Sequence, residues 1–304
     1  MLASKLKIGD TIGVVAPDKA LKSYEKEYLD KATIFFKSLG LNVIYGKYIF
    51  SDDNYCAGTS KERAEDINNM FSNKDVKAIF TVKGGNMANG VLPFIDYEII
   101  KNNPKIFLGM SDITVLLCAI NKVTGLITYH CNDYIYYGKE KVTEYDKYEI
   151  KDKLFNGNKT IIPYEDRVFI NVNENIVGKS YGTNANCLLK LAGTPYMPDL
   201  NNAVLFLEGY HPGIVEWNSF LEQFIQIGGL NNGVIFGYIY QLQCVEKNKD
   251  KIEDELMKIN PSIPMVKTND FGHRHPNSIV PIGVDVEINP VDKSIIILED
   301  FLQD

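Results

Sequence analysis

The residues best arranged for chemistry lie in Phe107-Leu108-Gly109-Met110-Ser111-Asp112-Ile113-Thr114. An apolar run ends at glycine, one residue intervenes, and a serine stands where a helix should begin. A tight strand-to-helix turn of this kind pushes a hydroxyl out at the carboxyl end of a sheet, where it can serve as a nucleophile. The helix start behind it offers free N–H groups to negative charge. The full G-x-S-x-G pattern is absent, because Ile113 replaces the second glycine, and a serine that merely caps the helix is the competing reading. Val82-Lys83-Gly84-Gly85-Asn86 also follows an apolar run. A glycine pair there can turn N–H groups toward an oxyanion or phosphate, or simply make a βα turn. It is neither a dinucleotide fingerprint nor a P-loop.

A serine nucleophile needs a base, and the chain has four histidines, His130, His211, His273 and His275. His273 and His275 lie in the Gly/Pro-punctuated stretch Asp270-Phe271-Gly272-His273-Arg274-His275-Pro276, the kind of loop that carries functional groups. No further His/Cys/Asp cluster accompanies them, so no zinc site is expected. Glu208 ends the apolar run Val204-Leu205-Phe206-Leu207. A carboxylate at the end of a buried strand is costly unless paired. It could orient a histidine as the third member of a triad, or form a structural salt bridge.

These groups need a scaffold, and the hydrophobic pattern supplies one. Residues 11–17, 41–45, 77–82, 105–109 and 126–129 read as short strands. Helical spacing follows at 24–39, after the capping box Thr59-Ser60-Lys61-Glu62, and at 113–122. Such alternation argues for an α/β fold with a parallel sheet covered by helices. Residues 139–153, rich in charge and tyrosine, read as a surface helix. Polar, irregular sequence at 161–175 reads as a linker between an N-terminal domain, 1–160, and a C-terminal domain, 176–304. In the second half, helices are expected near 186–191 and 217–227, strands at 203–207 and 233–238, and a hairpin around Asn289-Pro290.

The 304 residues are 45% hydrophobic and 23% charged, which supports a full core and excludes global disorder. The net charge of −7, with no dense Lys/Arg block, argues against a nucleic-acid partner and against an anionic membrane. No apolar run approaches the roughly 18–20 residues of a spanning helix. The N-terminus has no signal-peptide core, so a cytosolic protein is expected. Five widely spaced cysteines without a CxxC pair read as reduced thiols.

Taken in order, these motifs resemble the LD-carboxypeptidase family of serine peptidases, which includes the microcin C immunity peptidases. The resemblance starts at Leu6-Lys7-Ile8-Gly9-Asp10-Thr11 and runs on to Ala16-Pro17. It continues through Gly84-Gly85, Leu92-Pro93, Asn103-Pro104-Lys105 and Gly109 to Thr114. In the second half it covers Gly193-Thr194-Pro195-Tyr196, Leu205 to Glu208, Asp270-Phe271-Gly272-His273 and Pro281-Ile282-Gly283. It implies a Rossmann-like N-terminal half, a mixed α/β C-terminal half and a site in the cleft between them. It also implies Ser111 as nucleophile, Glu208 and His273 as its triad partners, and the N–H groups of Gly85 and Asp112 as oxyanion donors. Asn184 corresponds to an asparagine lining the family's substrate pocket, although Gly182-Thr183-Asn184 replaces the usual Gly-Gly-Asn. The resemblance implies no metal or organic cofactor, and a homodimer. Met110 before the serine, His130-Cys131-Asn132, Gly209 after the glutamate and Tyr210-His211-Pro212-Gly213 depart from the family pattern.

Two substrate classes follow, a murein tetrapeptide cleaved at its L,D bond and a peptidyl- or aminoacyl-nucleotide amide. A non-catalytic ligand-binding homologue is the third reading. A terminal carboxylate calls for a cation, for which Lys83 and Arg274 are the candidates. A nucleobase calls for an aromatic platform, for which Tyr134, Tyr136 and Tyr137 are candidates.

Overall fold

The computed structural model describes residues 1–51, 55–139, 141–246, 251–274 and 276–304. Its strands are β1 (Ala3–Ser4), β2 (Thr11–Val15), β3 (Asn42–Tyr45), β4 (Val76–Thr81), β5 (Ile106–Gly109), β6 (Thr128–His130), β7 (Val168–Ile170) and β8 (Ile176–Asn184). There follow β9 (Val204–Gly209), β10 (Gly233–Ile239), β11 (Met265–Gly272), β12 (Val280–Ile282), β13 (Asp285–Asn289), β14 (Ser294–Ile297) and β15 (Leu302–Gln303). The helices are α1 (Lys26–Ser38), α2 (Ser60–Ser72), α3 (Tyr97–Asn102), α4 (Thr114–Thr124), α5 (Tyr136–Lys139), α6 (Glu144–Glu149), α7 (Ala185–Leu189), α8 (Ile214–Gln226) and α9 (Lys251–Ile259).

The first sheet has the order β12-β6-β5-β4-β2-β3. Its five N-terminal strands are parallel, and their order reverses between β2 and β4. In open α/β sheets that reversal leaves a crevice at the carboxyl ends of the strands, where ligands bind. Ile12 to Val15 are all buried, as both-faces-covered strands must be. The capping box forms as the sequence indicates, with Glu62 Oε2 accepting the Thr59 N–H at 2.8 Å. Helix α4 stops at Gly125, whose φ of 73° suits glycine.

The second sheet has the order β14-β13-β8-β9-β10-β11-β7. Its four central strands are parallel, and its flanking strands antiparallel. The hairpin around Asn289-Pro290 is β13 and β14. The fold is therefore mixed α/β, a parallel N-terminal sheet and a mixed C-terminal one. Strand β7 lies within the stretch 161–175 and pairs with β11. Strand β12, late in the chain, crosses back to β6, and β1 pairs with β15.

The charged stretch after Lys139 is not a surface helix. Helix α6 and the wider helical turn at 150–156 bury Asp146, Glu149, Ile150, Asp152, Lys153 and Leu154. Of these charges, Lys153 and Asp152 form an ion pair, while Asp146 and Glu149 accept the Thr143 and Ile279 N–H groups. Lys153 Nζ reaches Asp152 at 2.7 Å and the Thr160 carbonyl at 2.8 Å. Among the described residues no helix is long and apolar enough to cross a membrane.

One glycine governs how the second sheet reaches the cleft. Gly182 has φ of 132°, and a Cβ there would lie 1.8 Å from the Phe206 carbonyl oxygen. It stands where β8 and β9 run side by side toward Asn184 and Glu208, which face each other in register. Gly182→Ala should cost about 3 kcal/mol or more and lower activity with it. Urea unfolding checks this, and a loss below about 1 kcal/mol would show that the strands yield instead.

Candidate active site

Strand β5 delivers Ser111 to the cleft. After Gly109, Met110 is extended, and Ser111 takes φ of 59°, in the left-handed region. That conformation costs a non-glycine residue on the order of 1–3 kcal/mol, and persists only where the surroundings impose it. Gly109 permits it: a Cβ there would lie 2.3 Å from Thr81 Oγ1 and 2.7 Å from Ile113 Cγ2. Ser111 is not a helix cap. Met110 holds the cap position of the short turn 111–113, and no side-chain cap bond is made. Among the described residues the Ser111 hydroxyl has no hydrogen-bond partner, and the residue lines a cavity of about 450 Å³.

The glycine pair packs directly against this turn. A Cβ on Gly84 would lie 2.9 Å from Ser111 Cβ and 3.3 Å from the Asp112 nitrogen. The Gly84 N–H is occupied, donating to Asp133 Oδ2 at 2.9 Å. The other Asp133 oxygen accepts from the Met110 N–H at 3.4 Å and from Thr81 Oγ1 at 3.3 Å. Burial pushes the Asp133 carboxyl up to about 7, against the pull of these donors. Asp133 thus fastens the two loops together. Among the described residues the N–H groups of Gly85 and Asp112 donate to no protein acceptor, beside the serine.

The second sheet supplies Glu208 and His273. Glu208 lies in β9, fully buried, and its Oε2 is hydrogen-bonded to His273 Nδ1. Strand β11 ends at Gly272, whose φ of 119° turns the chain over Glu208. A Cβ there would lie 2.5 Å from the Tyr238 carbonyl and 3.1 Å from Glu208 Cβ. Asn277 holds the turn, accepting from Gly272 N–H at 3.0 Å and donating to the Gly272 carbonyl at 2.7 Å. Burial acts to lower the His273 pKa, but the Glu208 charge and hydrogen bond outweigh it, and the net shift is upward from 6.5. With Nδ1 on the carboxylate, Nε2 is the ring nitrogen not committed to Glu208. The Asp133 charge behind the Ser111 turn also acts on the His273 ring.

The other sequence candidates divide. Asn184 lines the cavity with Gly84, Gly85 and Ser111. Its side-chain oxygen accepts the Cys187 N–H at 3.2 Å and so caps α7. Lys83 does not line the cavity, because its ammonium is tied to Glu25 at 2.5 Å. Arg274 is likewise held outside it, 3.0 Å from Glu165 and over the rings of Tyr164 and Tyr238. Lys19, in the loop after β2, is the lysine that lines the cavity. His130 is buried with Nδ1 2.7 Å from Thr183 Oγ1, and burial lowers its pKa to about 4. His211 lines the cavity rim, and His275 lies outside the described residues.

Tyr134 and Tyr137 form no platform. They are buried against α1, stacked on Phe36 and Phe35. Tyr136 sits beside them on α5, half-buried against the same core. The aromatic face at the cleft is Tyr210, which lines the cavity, stacks on Tyr240 at 4.6 Å and lies 5.1 Å from the His273 ring. The sequence marked Tyr210 only as a departure from the family. Asp133 and Lys19 carried no signal, since neither stands in a motif.

Comparison with known proteins finds matches to both halves of the chain. Residues 12–131 match the LD-carboxypeptidase N-terminal domain, and residues 177–288 match its C-terminal domain. The "Probable murein peptide carboxypeptidase" of Bacillus subtilis is 30% identical, over 96% of this chain and 92% of that protein. The microcin C7 self-immunity protein MccF of Escherichia coli is 29% identical, over 99% of this chain and 97% of its own. A solved structure of MccF in complex with aspartyl sulfamoyl adenosine superposes with a TM-score of 0.90 at 26% identity, covering 100% of both chains. With both domain patterns matched in order across most of its length, the chain belongs to the LD-carboxypeptidase family.

Proposed function

We propose that the chain is a serine-type peptidase that hydrolyses an amide bond near a carboxylate terminus, with the L,D bond of a murein tetrapeptide as its substrate. One observation carries the reading. A strained serine with a hydroxyl that bonds no described residue lines one cavity with the Gly84-Gly85 loop, and Tyr210 of the same lining lies 5.1 Å from the His273 ring of a buried Glu–His pair. Ser111 Oγ attacks the carbonyl carbon while His273 Nε2 takes its proton. Glu208 holds the ring in the Nδ1–H tautomer and stabilises the imidazolium. The negative oxygen that forms is met by the N–H groups of Gly85 and Asp112. His273 then protonates the leaving nitrogen, the C–N bond breaks, and water releases the acyl group from Ser111 by the same route in reverse. Lys19 supplies a positive charge for a substrate carboxylate.

A second substrate class is favoured by Tyr210. Its ring, backed by Tyr240, offers a face on which a nucleobase can stack, and the MccF structure holds a sulfamoyl adenosine. The ratio of kcat/KM for a murein tetrapeptide and an aminoacyl sulfamoyl adenylate decides between them. We expect the tetrapeptide to be preferred. A more than tenfold preference for the adenylate, about 1.4 kcal/mol in the barrier, replaces the murein reading with the nucleotide one.

Ser111→Ala and His273→Ala should each lower kcat by at least about 10⁴-fold, and the double variant should be little worse, because the members act as a unit. Glu208→Gln should lose less. Additive losses in single-turnover assays would point to a different nucleophile.

The pH profile tests the base. His273 must be neutral to accept the proton, so kcat/KM should rise with pH, with a midpoint above 6.5 set by Glu208. In Glu208→Gln the main charge that raises the pKa is gone, and the burial that lowers it outweighs the remaining, weaker pull of Asp133. The midpoint should therefore move down, below 6.5. An unmoved midpoint would assign the limb to another group.

A further inference from the structure

The loop that carries Gly85 is fastened by carboxyl groups on both sides, and two of them touch each other. Asp18, in the loop after β2, accepts the Met87 N–H at 3.1 Å. Asp112, the residue after Ser111, accepts the adjacent Ala88 N–H at 2.8 Å. The two side chains are 1% and 0% exposed, and by accepting from N–H groups of adjacent residues they bring two buried carboxyl groups against one another. Gly85 lies directly on Asp18, since a Cβ there would come within 2.5 Å of the Asp18 carboxyl. Two buried carboxylates held this close repel, and one proton between them turns that repulsion into a hydrogen bond.

We propose that Asp18 and Asp112 share a single proton, and that this proton locks the loop 84–88 onto the nucleophile turn. Both are positioning residues, acting through the N–H groups of Gly85 and Asp112, and the proposal rests on the serine peptidase reading. The surroundings say which partner carries the proton. Asp112 is bonded by Lys190 Nζ, which also donates to the Asn86 carbonyl at 2.9 Å, and the Cys187 thiol lies beside it. Asp18 faces the Cys56 thiol at 3.9 Å and the Arg63 guanidinium of α2. That guanidinium donates from its two terminal nitrogens to the carbonyls of Pro17 at 2.6 Å and Met87 at 3.0 Å and to Ser60 Oγ at 2.9 Å, so it makes no hydrogen bond to Asp18 and its charge is the weakest of the influences on it. The lysine makes Asp112 the carboxylate and leaves Asp18 the acid. Burial and the neighbouring Asp112 push Asp18 up to about 7. Burial opposes ionisation of Asp112 too, but bonds from Asp18, Lys190 and the Ala88 N–H hold it lower than usual.

The direction of the pH effect follows. Below neutrality the proton is in place and the loop is held. As pH rises through about 7, Asp18 ionises, two adjacent carboxylates repel, and the oxyanion donors lose their support. This is a falling alkaline limb, opposite in sign to the His273 limb. Asp133 titrates in the same range, but its charge is met by the N–H groups of Gly84 and Met110.

The test follows the rate of Ser111 labelling by a fluorophosphonate between pH about 5.5 and 9.5, with thermal unfolding of every protein in parallel. Wild type should label and lose rate at least fivefold on the alkaline side. Asp18→Asn keeps a donor for Asp112 and an acceptor for Met87 but has no proton to lose, so its alkaline fall should vanish while the His273 limb stays. Asp112→Asn also leaves only one carboxyl and should abolish the fall, which keeps the test open if either variant is unstable. Asp18→Ala should be at least tenfold slower at all pH values. A wild type without the fall, or a fall that persists in the folded asparagine variants, overturns the shared proton and assigns the limb to Asp133. If wild type does not label at all, the peptidase reading fails instead. Infrared difference spectra of wild type against Asp18→Asn at neutral pH then decide the proton alone: a protonated carboxyl band lost in the variant supports it, and identical spectra overturn it.

Discussion

One backbone angle, the φ of 59° at Ser111, sets the terms for the rest of the cleft. A serine does not hold that conformation unaided. The sheet imposes it by ending β5 at a glycine packed against Thr81, and by starting α4 within one turn. The turn must then be held from outside, and Asp133 does this by bonding the Met110 and Gly84 N–H groups at once. The Ser111 turn and the glycine loop are consequently fastened to each other through one side chain. Under the proposed mechanism such fastening serves the N–H groups, because donors that must reorganise during a reaction lose their advantage.

The second sheet meets a different constraint, that of burying charge. Glu208 is fully buried, and its second oxygen, Oε1, has no hydrogen-bond partner among the described residues. Its His273 partner therefore carries most of the compensation, and the pair is positioned by backbone. Glu208 is fixed by register with Asn184, and His273 by the left-handed turn at Gly272. The loop holding His273 is anchored by a buried ion pair between Arg167 and Asp270 at 2.7 Å, and by the Ser278 N–H on the Asp270 carbonyl. Removing one partner of such a pair would be far more damaging than its net contribution suggests, because the other charge would stay buried.

What was legible in the sequence were the ends of apolar runs. Gly109-Met110-Ser111, Gly84-Gly85 and Glu208 stand out because a buried strand stops there and a small or charged residue begins. Strand β8 was not legible. Gly178, Lys179 and Gly182 interrupt its pattern, and its partners β9 and β13 lie far away in sequence. Lys83 and Arg274 illustrate a second limit. Adjacency to a motif places a backbone, but the direction of a long side chain is set by partners such as Glu25 and Glu165. Tyr134 and Tyr137 illustrate a third, since a tyrosine-rich stretch looks the same whether it lines a cleft or packs on Phe35 and Phe36. Asp18 and Asp133 are single acids in no recognisable spacing, and only the fold gathers them under one loop.

The departures from the family pattern fall on both sheets, but not in the same setting. Met110 and Cys131 are buried beside the strand ends of the first sheet, while the glycine loop and the residues from Ser111 to Thr114 keep their motifs. Tyr210, His211 and Pro212, which depart, line the opposite side of the same cavity. They follow β9 directly and lead into α8, so a change there alters the shape of the rim without moving Glu208. Loops carried on rigid strand ends tolerate such change because little of the core depends on them. The two sides of the cleft thus answer to different requirements. The N-terminal side is fixed by strand ends and buried carboxyl groups, while the C-terminal rim is free to vary around the same cavity.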